Sequence, residues 1–153
     1  MAGELDLVIP DASVAVKWFL SDEDQADQAL LLLSRFLEGQ TRLVAPAYIR
    51  YEVPSAIAVA TRGRQARITP EQGRQAIADF LALRLNVADT DDLITHAYDL
   101  AQQHGCSIYD AYYLALAAQI QAPFLTADRR LYERVAGLSY VLWLGDYAAP
   151  DVP

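Results

Sequence analysis

Short apolar segments alternate with helical segments along most of this chain. The strand-like segments are residues 5–10, 42–46, 85–90, 122–128 and 138–145, and the helical segments are residues 21–39, 47–63, 69–84, 91–104, 107–121 and 129–137. The strand-like segments are apolar throughout rather than alternately polar and apolar, which indicates strands covered on both faces. This order predicts an α/β fold with a parallel β-sheet flanked by helices.

The length and composition predict one domain. A chain of 153 residues is long enough to bury a single core, and no linker or internal repeat interrupts it. Apolar residues make up 54% of the sequence and charged residues 21%, which excludes a disordered chain. We therefore predict one domain over residues 1–145 and a frayed tail, rich in Pro and Ala, over residues 146–153.

The sequence shows no feature of a membrane or secreted protein. No apolar run reaches the roughly 18 residues that a membrane span needs. The N-terminal segment MAGELDLVIPDAS has no basic residue, unlike a signal peptide. The single cysteine, Cys106, cannot form an internal disulfide, and no neighbouring pattern activates it. These features predict a cytoplasmic protein with no membrane partner, in which Cys106 is a small apolar residue.

The charged residues restrict the kinds of partner. A net charge of -8 argues against a protein that coats nucleic acid, but it does not exclude a nuclease whose metal ions supply positive charge. Eleven of the twelve basic residues are Arg and one, Lys17, is Lys. Arg suits bidentate contacts to phosphate, so the segment RGRQAR (residues 62–67) and Arg129 are candidate contacts to a nucleic-acid backbone. Ordinary surface ion pairs explain RGRQAR at least as well.

Four acidic residues are candidates for a functional site. Asp11 and Asp128 follow predicted strands, Asp110 lies in the first turn of a late helix, and Glu52 lies on a mainly apolar helix face. Ligands of parallel sheets bind in the crevice beyond the carboxyl ends of the strands. Carboxylates gathered there repel one another by roughly 4 kcal/mol per pair at about 4 Å, and a hard divalent cation offsets this repulsion.

Each of these acids also has a structural explanation. Asp11 and Asp128 are good helix N-caps, and Asp110 has the capping-box spacing from Ser107. Taken alone, Asp11 is better explained as a cap. Glu52 could form a salt bridge with an Arg of another helix, but a Glu on an apolar face favours a functional role.

Four motifs resemble those of the PIN-domain ribonucleases, and most closely the VapC-type toxins of toxin–antitoxin pairs. They are LVIPDAS around Asp11, EVPSA from Glu52, SIYDAYYLALA around Asp110 and LTADRRL around Asp128. The resemblance covers essentially the whole chain. One position departs from it, because the family often has Asn three residues after the glutamate and this chain has Ser55.

The resemblance implies a PIN-like fold and a metal-dependent endoribonuclease that cleaves single-stranded or loop RNA. It implies that Asp11, Glu52, Asp110 and Asp128 are catalytic, and that a cognate antitoxin and a second copy of the chain are partners. We expect Asp11, Asp110 and Asp128 to hold the metal, and oxygen ligands of this kind select Mg²⁺ or Mn²⁺.

Several neighbouring residues are expected to support this site. Ser13, Ser55 and Thr126 are candidates to orient the acids, and Arg129 is a candidate contact to the RNA backbone. The helix that contains Leu30–Leu33 has little polar face, which predicts burial on more than one side and use as a dimer or antitoxin surface. A non-catalytic PIN-like module that binds RNA or protein remains the alternative, and the four retained acids count against it.

Overall fold

The computed structural model describes residues 6–149. Two ranges lie outside it: residues 1–5 and residues 150–153. The first begins the N-terminal segment that was predicted not to be a signal peptide, and the second ends the predicted frayed tail. Within the described range, no helix is both long enough and apolar enough to cross a membrane.

Within residues 6–149, five parallel strands form the sheet. They are β1 (Asp6–Pro10), β2 (Thr41–Pro46), β3 (Asn86–Ala88), β4 (Phe124–Thr126) and β5 (Val141–Trp143), in the spatial order β3-β2-β1-β4-β5. The predicted parallel α/β sheet is therefore confirmed. The order reverses at β1, which has β2 on one side and β4 on the other. In open parallel sheets this reversal opens a ligand crevice beyond the strand ends.

In the described part of the chain, seven helices flank the sheet. They are α1 (Ala12–Ala15), α2 (Ala26–Leu37), α3 (Ile49–Ala60), α4 (Pro70–Ala82), α5 (Ile94–His104), α6 (Ile108–Ile120) and α7 (Arg129–Val135). Short 3₁₀ turns cover Val16–Trp18, Asp91–Leu93 and Leu144–Asp146. Residues that typically begin or end a helix do so at the start of α4 and at the end of α5. A capping box of Thr69 and Gln72 opens α4, and Gly105, with a φ of 64°, closes α5.

The structure corrects the predicted bounds of two helices. The helix predicted from residue 21 begins at Ala26, because Asp22 and Glu23 bind Arg67 and Gln25 adopts a left-handed conformation with a φ of 64°. The helix predicted over residues 47–63 does not begin directly after Pro46, which pairs with Ala88 at the end of β2. That helix, α3, starts at Ile49 and ends three residues before the predicted Gly63.

The core surrounds the sheet, and α6 is its most buried helix, with Tyr113 and Leu114 at most 2% exposed. The leucines of α2 are less buried than predicted. Leu32 is fully buried, whereas Leu30 is 39% and Leu31 36% exposed, so in this chain α2 is amphipathic. At the C-terminal end of the described range, Tyr147 packs against the core.

Candidate active site

Asp11 lies directly after β1, where the sheet order reverses. Its backbone N–H donates to the carbonyl of Leu125 in β4 at 3.1 Å, which fixes the residue at the carboxyl ends of both strands. The side chain is also the N-cap of α1, because its carboxylate accepts from the Val14 N–H at 3.2 Å. The residue is only 6% exposed. The predicted cap is therefore present, and it coexists with a buried carboxylate at the crevice.

Two hydroxyl groups bind the Asp11 carboxylate and join the ends of β1 and β4. Thr126 Oγ1 donates to Asp11 Oδ2 at 2.5 Å, and Ser13 Oγ donates to Asp11 Oδ1. The same hydroxyls accept backbone N–H groups, Thr126 from Asp128 at 3.1 Å and Ser13 from Ala127 at 2.9 Å. Each hydroxyl therefore has one donor role and one acceptor role, and together they hold the carboxylate in a single orientation.

Burial raises the pKa of Asp11 to about 7. The hydrogen bonds from Ser13, Thr126 and the Val14 N–H oppose this shift, and the charge of Asp110 adds to it. None of these partners is a cation, so the ionised carboxylate is dehydrated without a compensating positive charge. An added cation would therefore stabilise the ionised form of Asp11.

Glu52 projects from α3 and binds a tyrosine of α6. The Tyr113 hydroxyl donates to Glu52 Oε1 at 2.8 Å. The salt bridge to an Arg that could have explained Glu52 is not formed within residues 6–149. Burial raises the pKa of Glu52, the Tyr113 hydrogen bond lowers it, and the charge of Asp110 raises it further. Burial also raises the pKa of the Tyr113 phenol, which therefore remains protonated and able to donate.

Asp110 and Asp128 lie at the first turns of α6 and α7. Ser107 caps α6 by accepting from the Asp110 N–H at 3.0 Å, and Asp128 caps α7 by accepting from the Leu131 N–H at 3.1 Å. The cap expected of Asp128 is present, and at α6 the bond from the Asp110 N–H to the Ser107 hydroxyl forms the first half of the expected capping box. Burial raises the pKa of Asp110, the hydrogen bond with Ser107 lowers it, and the charge of Asp128 raises it. The charge of Asp128 therefore raises the pKa of Asp110, and the charge of Asp110 raises the pKa values of Asp11 and Glu52.

Two cavities are lined by three of these acids. The first, of about 530 Å³, has Ser13, Lys17, Glu23, Glu52 and Ser55 among its lining residues, together with apolar side chains. The second, of about 120 Å³, is lined by Asp110, Asp128, Cys106, Arg130 and Arg134, among others. Glu52 therefore faces one opening, while Asp110 and Asp128 face the other. Burial raises the pKa of Cys106, which favours the unreactive thiol.

The chemistry of the acids fits a hard divalent cation, because their ligand atoms are carboxylate oxygens and their negative charge is uncompensated. These acids are spaced more widely than the ligands of an assembled metal site. Within residues 6–149, no three His, Cys, Asp or Glu side chains converge closely enough to hold a metal ion. The metal set Asp11, Asp110 and Asp128 therefore stays a prediction.

The other candidate residues have different surroundings. Arg129 is exposed, and its guanidinium carbon lies 4.4 Å from the centre of the Trp143 ring. Arg67 of RGRQAR binds Asp22 and Glu23, so for this arginine the ion-pair interpretation is confirmed. Ser55 is exposed and lines the larger cavity with Glu52.

The family model of the PIN domain matches residues 8–138. The chain belongs to the PIN-domain family. Ribonuclease VapC12 of Mycobacterium tuberculosis is 32% identical over 125 residues, which are 82% of this PIN-domain chain and 89% of the relative.

Solved structures share the fold of this PIN domain. The M. tuberculosis toxin VapC20, described as cleaving the sarcin-ricin loop, superposes with a TM-score of 0.59 at 16% identity, over 88% of this chain and 96% of the other. A toxin–antitoxin complex from Klebsiella pneumoniae gives a TM-score of 0.53 at 18% identity, over 93% and 99%. At these identities the likeness shows the fold alone.

Sequence reasoning missed two features of this PIN domain. The bond from Tyr113 to Glu52 was not expected from the sequence. The spacing of Tyr113, three residues after Asp110, was a usable signal, because residues three apart share one helix face. Lys17 was also missed, although it is the only lysine and lines the cavity next to Glu52.

Proposed function

We propose that this PIN domain is a metal-dependent endoribonuclease and the toxin of a toxin–antitoxin pair. The observation that supports it most is the buried Asp11 carboxylate at the β1–β4 crevice, which has hydroxyl partners but no cation and is coupled by charge to Asp110. The likeness to ribonuclease VapC12 over most of both chains supports the same reaction.

In this proposal Asp11, Asp110 and Asp128 bind Mg²⁺ or Mn²⁺. Such an ion, when bound, would supply positive charge beside a scissile phosphate and would lower the pKa of a water there. Ser13 and Thr126 fix the orientation of Asp11, so that its carboxylate is held in place before the substrate arrives. Tyr113 holds the Glu52 carboxylate, which accepts a proton from the attacking water or orients that water.

We also propose that the substrate is single-stranded or loop RNA, met in the cytoplasm, and that Arg129 contacts its backbone. The description of VapC20 as cleaving the sarcin-ricin loop supports a loop as the substrate but not its sequence. The Klebsiella complex supports an antitoxin partner. The exposed Leu30, Leu31 and Leu37 on α2 offer apolar area that an antitoxin or a second copy of the chain would cover.

Expression in bacteria tests the toxin part of the proposal. The chain expressed alone should arrest growth and leave cleaved RNA with new 5′ ends, while Asp11→Asn at the same protein level should do neither. Equal growth arrest by both proteins would show that the effect is not nuclease activity. Light scattering of the purified chain measures whether it forms a dimer.

A further inference from the structure

Lys17 is a buried cation beside the proposed RNA site. It lies in the 3₁₀ turn that follows α1, it is only 8% exposed, and it lines the larger cavity together with Glu52 and Ser13. No other lysine or arginine lines this cavity within the described residues. A lysine is rarely so buried unless it is paired or has a function.

Lys17 has one anionic partner and spare donors. Its ammonium donates to Glu23 Oε2 at 3.0 Å, the only hydrogen bond that its Nζ makes within residues 6–149. An ammonium carries three N–H groups, so two of them have no acceptor in that range. These donors are available to an oxygen-rich ligand in the cavity.

The partner of Lys17 is shared with a second cation. Arg67 donates to Glu23 Oε1 at 2.9 Å and also binds both carboxylate oxygens of Asp22, at 2.5 and 3.0 Å. Arg67 lies in the loop between α3 and α4. Its ion pairs with Asp22 and Glu23 hold this loop against the turn that precedes α2. Because Arg67 neutralises part of the Glu23 charge, Glu23 positions the ammonium without fully compensating it.

An RNA phosphate needs a positive charge in this place. The cavity borders Glu52, and a phosphate that approaches Glu52 and Asp11 is repelled by both carboxylates. We propose that Lys17 binds a phosphate oxygen of the RNA in this cavity, positioned by the Glu23–Arg67 pair. This proposal rests on the nuclease function, and it makes Lys17 a sequence-independent contact, because a phosphate carries no base information.

Binding of a fluorescein-labelled oligouridylate to the full chain tests this role. Anisotropy is measured over a range of KCl concentrations in the Asp110→Asn background, which is expected not to cleave. Lys17→Met should weaken binding about tenfold, the contribution of one hydrogen bond to a charged group. It should also reduce the slope of log affinity against log salt by about 0.7, the share of one single-strand phosphate contact.

Glu23→Gln separates phosphate binding from a merely structural ion pair. Glu23→Gln keeps a side-chain oxygen that can accept from Lys17 and so position it, but it removes the competing negative charge, so that affinity should stay unchanged or rise if Lys17 binds phosphate. If Lys17 only pairs with Glu23, both substitutions change affinity in the same direction and by similar factors, which overturns the proposal. The double variant Lys17→Met, Glu23→Gln replaces the pair with neutral groups. This double variant should bind RNA as weakly as Lys17→Met. It replaces Lys17→Met in the test if that single variant does not fold.

Arg42→Met is the matched charge control. Arg42 is exposed near the start of β2, at the opposite end of the sheet from the acids, and its loss also removes one positive charge. An equal loss of affinity in Arg42→Met would show a general charge effect and overturn the proposal. If wild-type protein cleaves RNA but Lys17→Met keeps the affinity and salt slope of its background, only the Lys17 proposal fails. If no RNA is bound or cleaved, the nuclease function fails with it.

Discussion

The charge on Asp11 should make the folded protein less stable as the pH rises. Burial raises the pKa of this carboxyl from 3.8 to about 7. Between these values the folded state keeps a proton that the unfolded chain releases, so the free energy of unfolding falls as the pH increases and stays low above about pH 7. The destabilisation from this one group is roughly 1.7 kcal/mol at about pH 5 and roughly 4 kcal/mol at about pH 8.

Asp11→Asn removes this titration. In EDTA, the free energy of unfolding in urea should fall between about pH 5 and about pH 8 by roughly 2.5 kcal/mol more in the wild type than in Asp11→Asn. Asp99→Asn, which removes an exposed carboxyl on α5, is the charge control and should follow the wild type. If the free energy of unfolding changes with pH in the same way in the wild type and in Asp11→Asn, the conclusion that burial raises the pKa of Asp11 is refuted.

Three further outcomes are expected. Tyr113→Phe removes the hydrogen-bond donor that lowers the pKa of Glu52, so the acidic limb of the pH profile of kcat/KM should move to higher pH. If this limb does not move, Glu52 is excluded as a required base. Thr126→Val removes the donor to the buried Asp11 carboxylate and the acceptor of the part-buried Asp128 N–H, and should cost about 2 kcal/mol of unfolding free energy and most of the activity. Thr126→Ser, which keeps the hydroxyl, should retain activity, and similar losses in both variants would assign the effect to packing. Millimolar Mg²⁺ or Mn²⁺ should raise the Tm of the wild type more than that of Asp11→Asn, and the absence of any shift would count against a shared metal site.

The sequence was sufficient for the sheet and for the placement of Asp11 and Asp128. Apolar strands separated by helices specify a parallel sheet, and a residue that directly follows such a strand must lie at its carboxyl edge. Thr126 therefore links the Asp11 carboxylate to the backbone N–H of Asp128, and Ser13 links the same carboxylate to the backbone N–H of Ala127. Local signals such as the Thr69 capping box and Gly105 also matched the structure, since they depend only on neighbours in the chain.

Contacts between distant segments could not be predicted in the same way. The acids at residues 22–24 look like the first turn of a helix, yet Asp22 and Glu23 bind Arg67, more than forty residues away, and the helix begins later. The bond from Tyr113 to Glu52 likewise joins two helices whose relative rotation no periodicity specifies. How closely Asp11, Asp110 and Asp128 approach a common point depends on side-chain rotamers, which the sequence pattern does not determine.

Cleavage of end-labelled RNA by the purified protein tests the central claim most directly. Structured and unstructured RNAs are incubated with Mn²⁺ or Mg²⁺, with EDTA, and with Asp110→Asn, whose fold is checked by circular dichroism. The nuclease function predicts internal cleavage by the wild type that requires the metal and is lost in Asp110→Asn. Cleavage that survives both EDTA and the substitution, or no cleavage of any RNA by a protein that binds the metal, would contradict it.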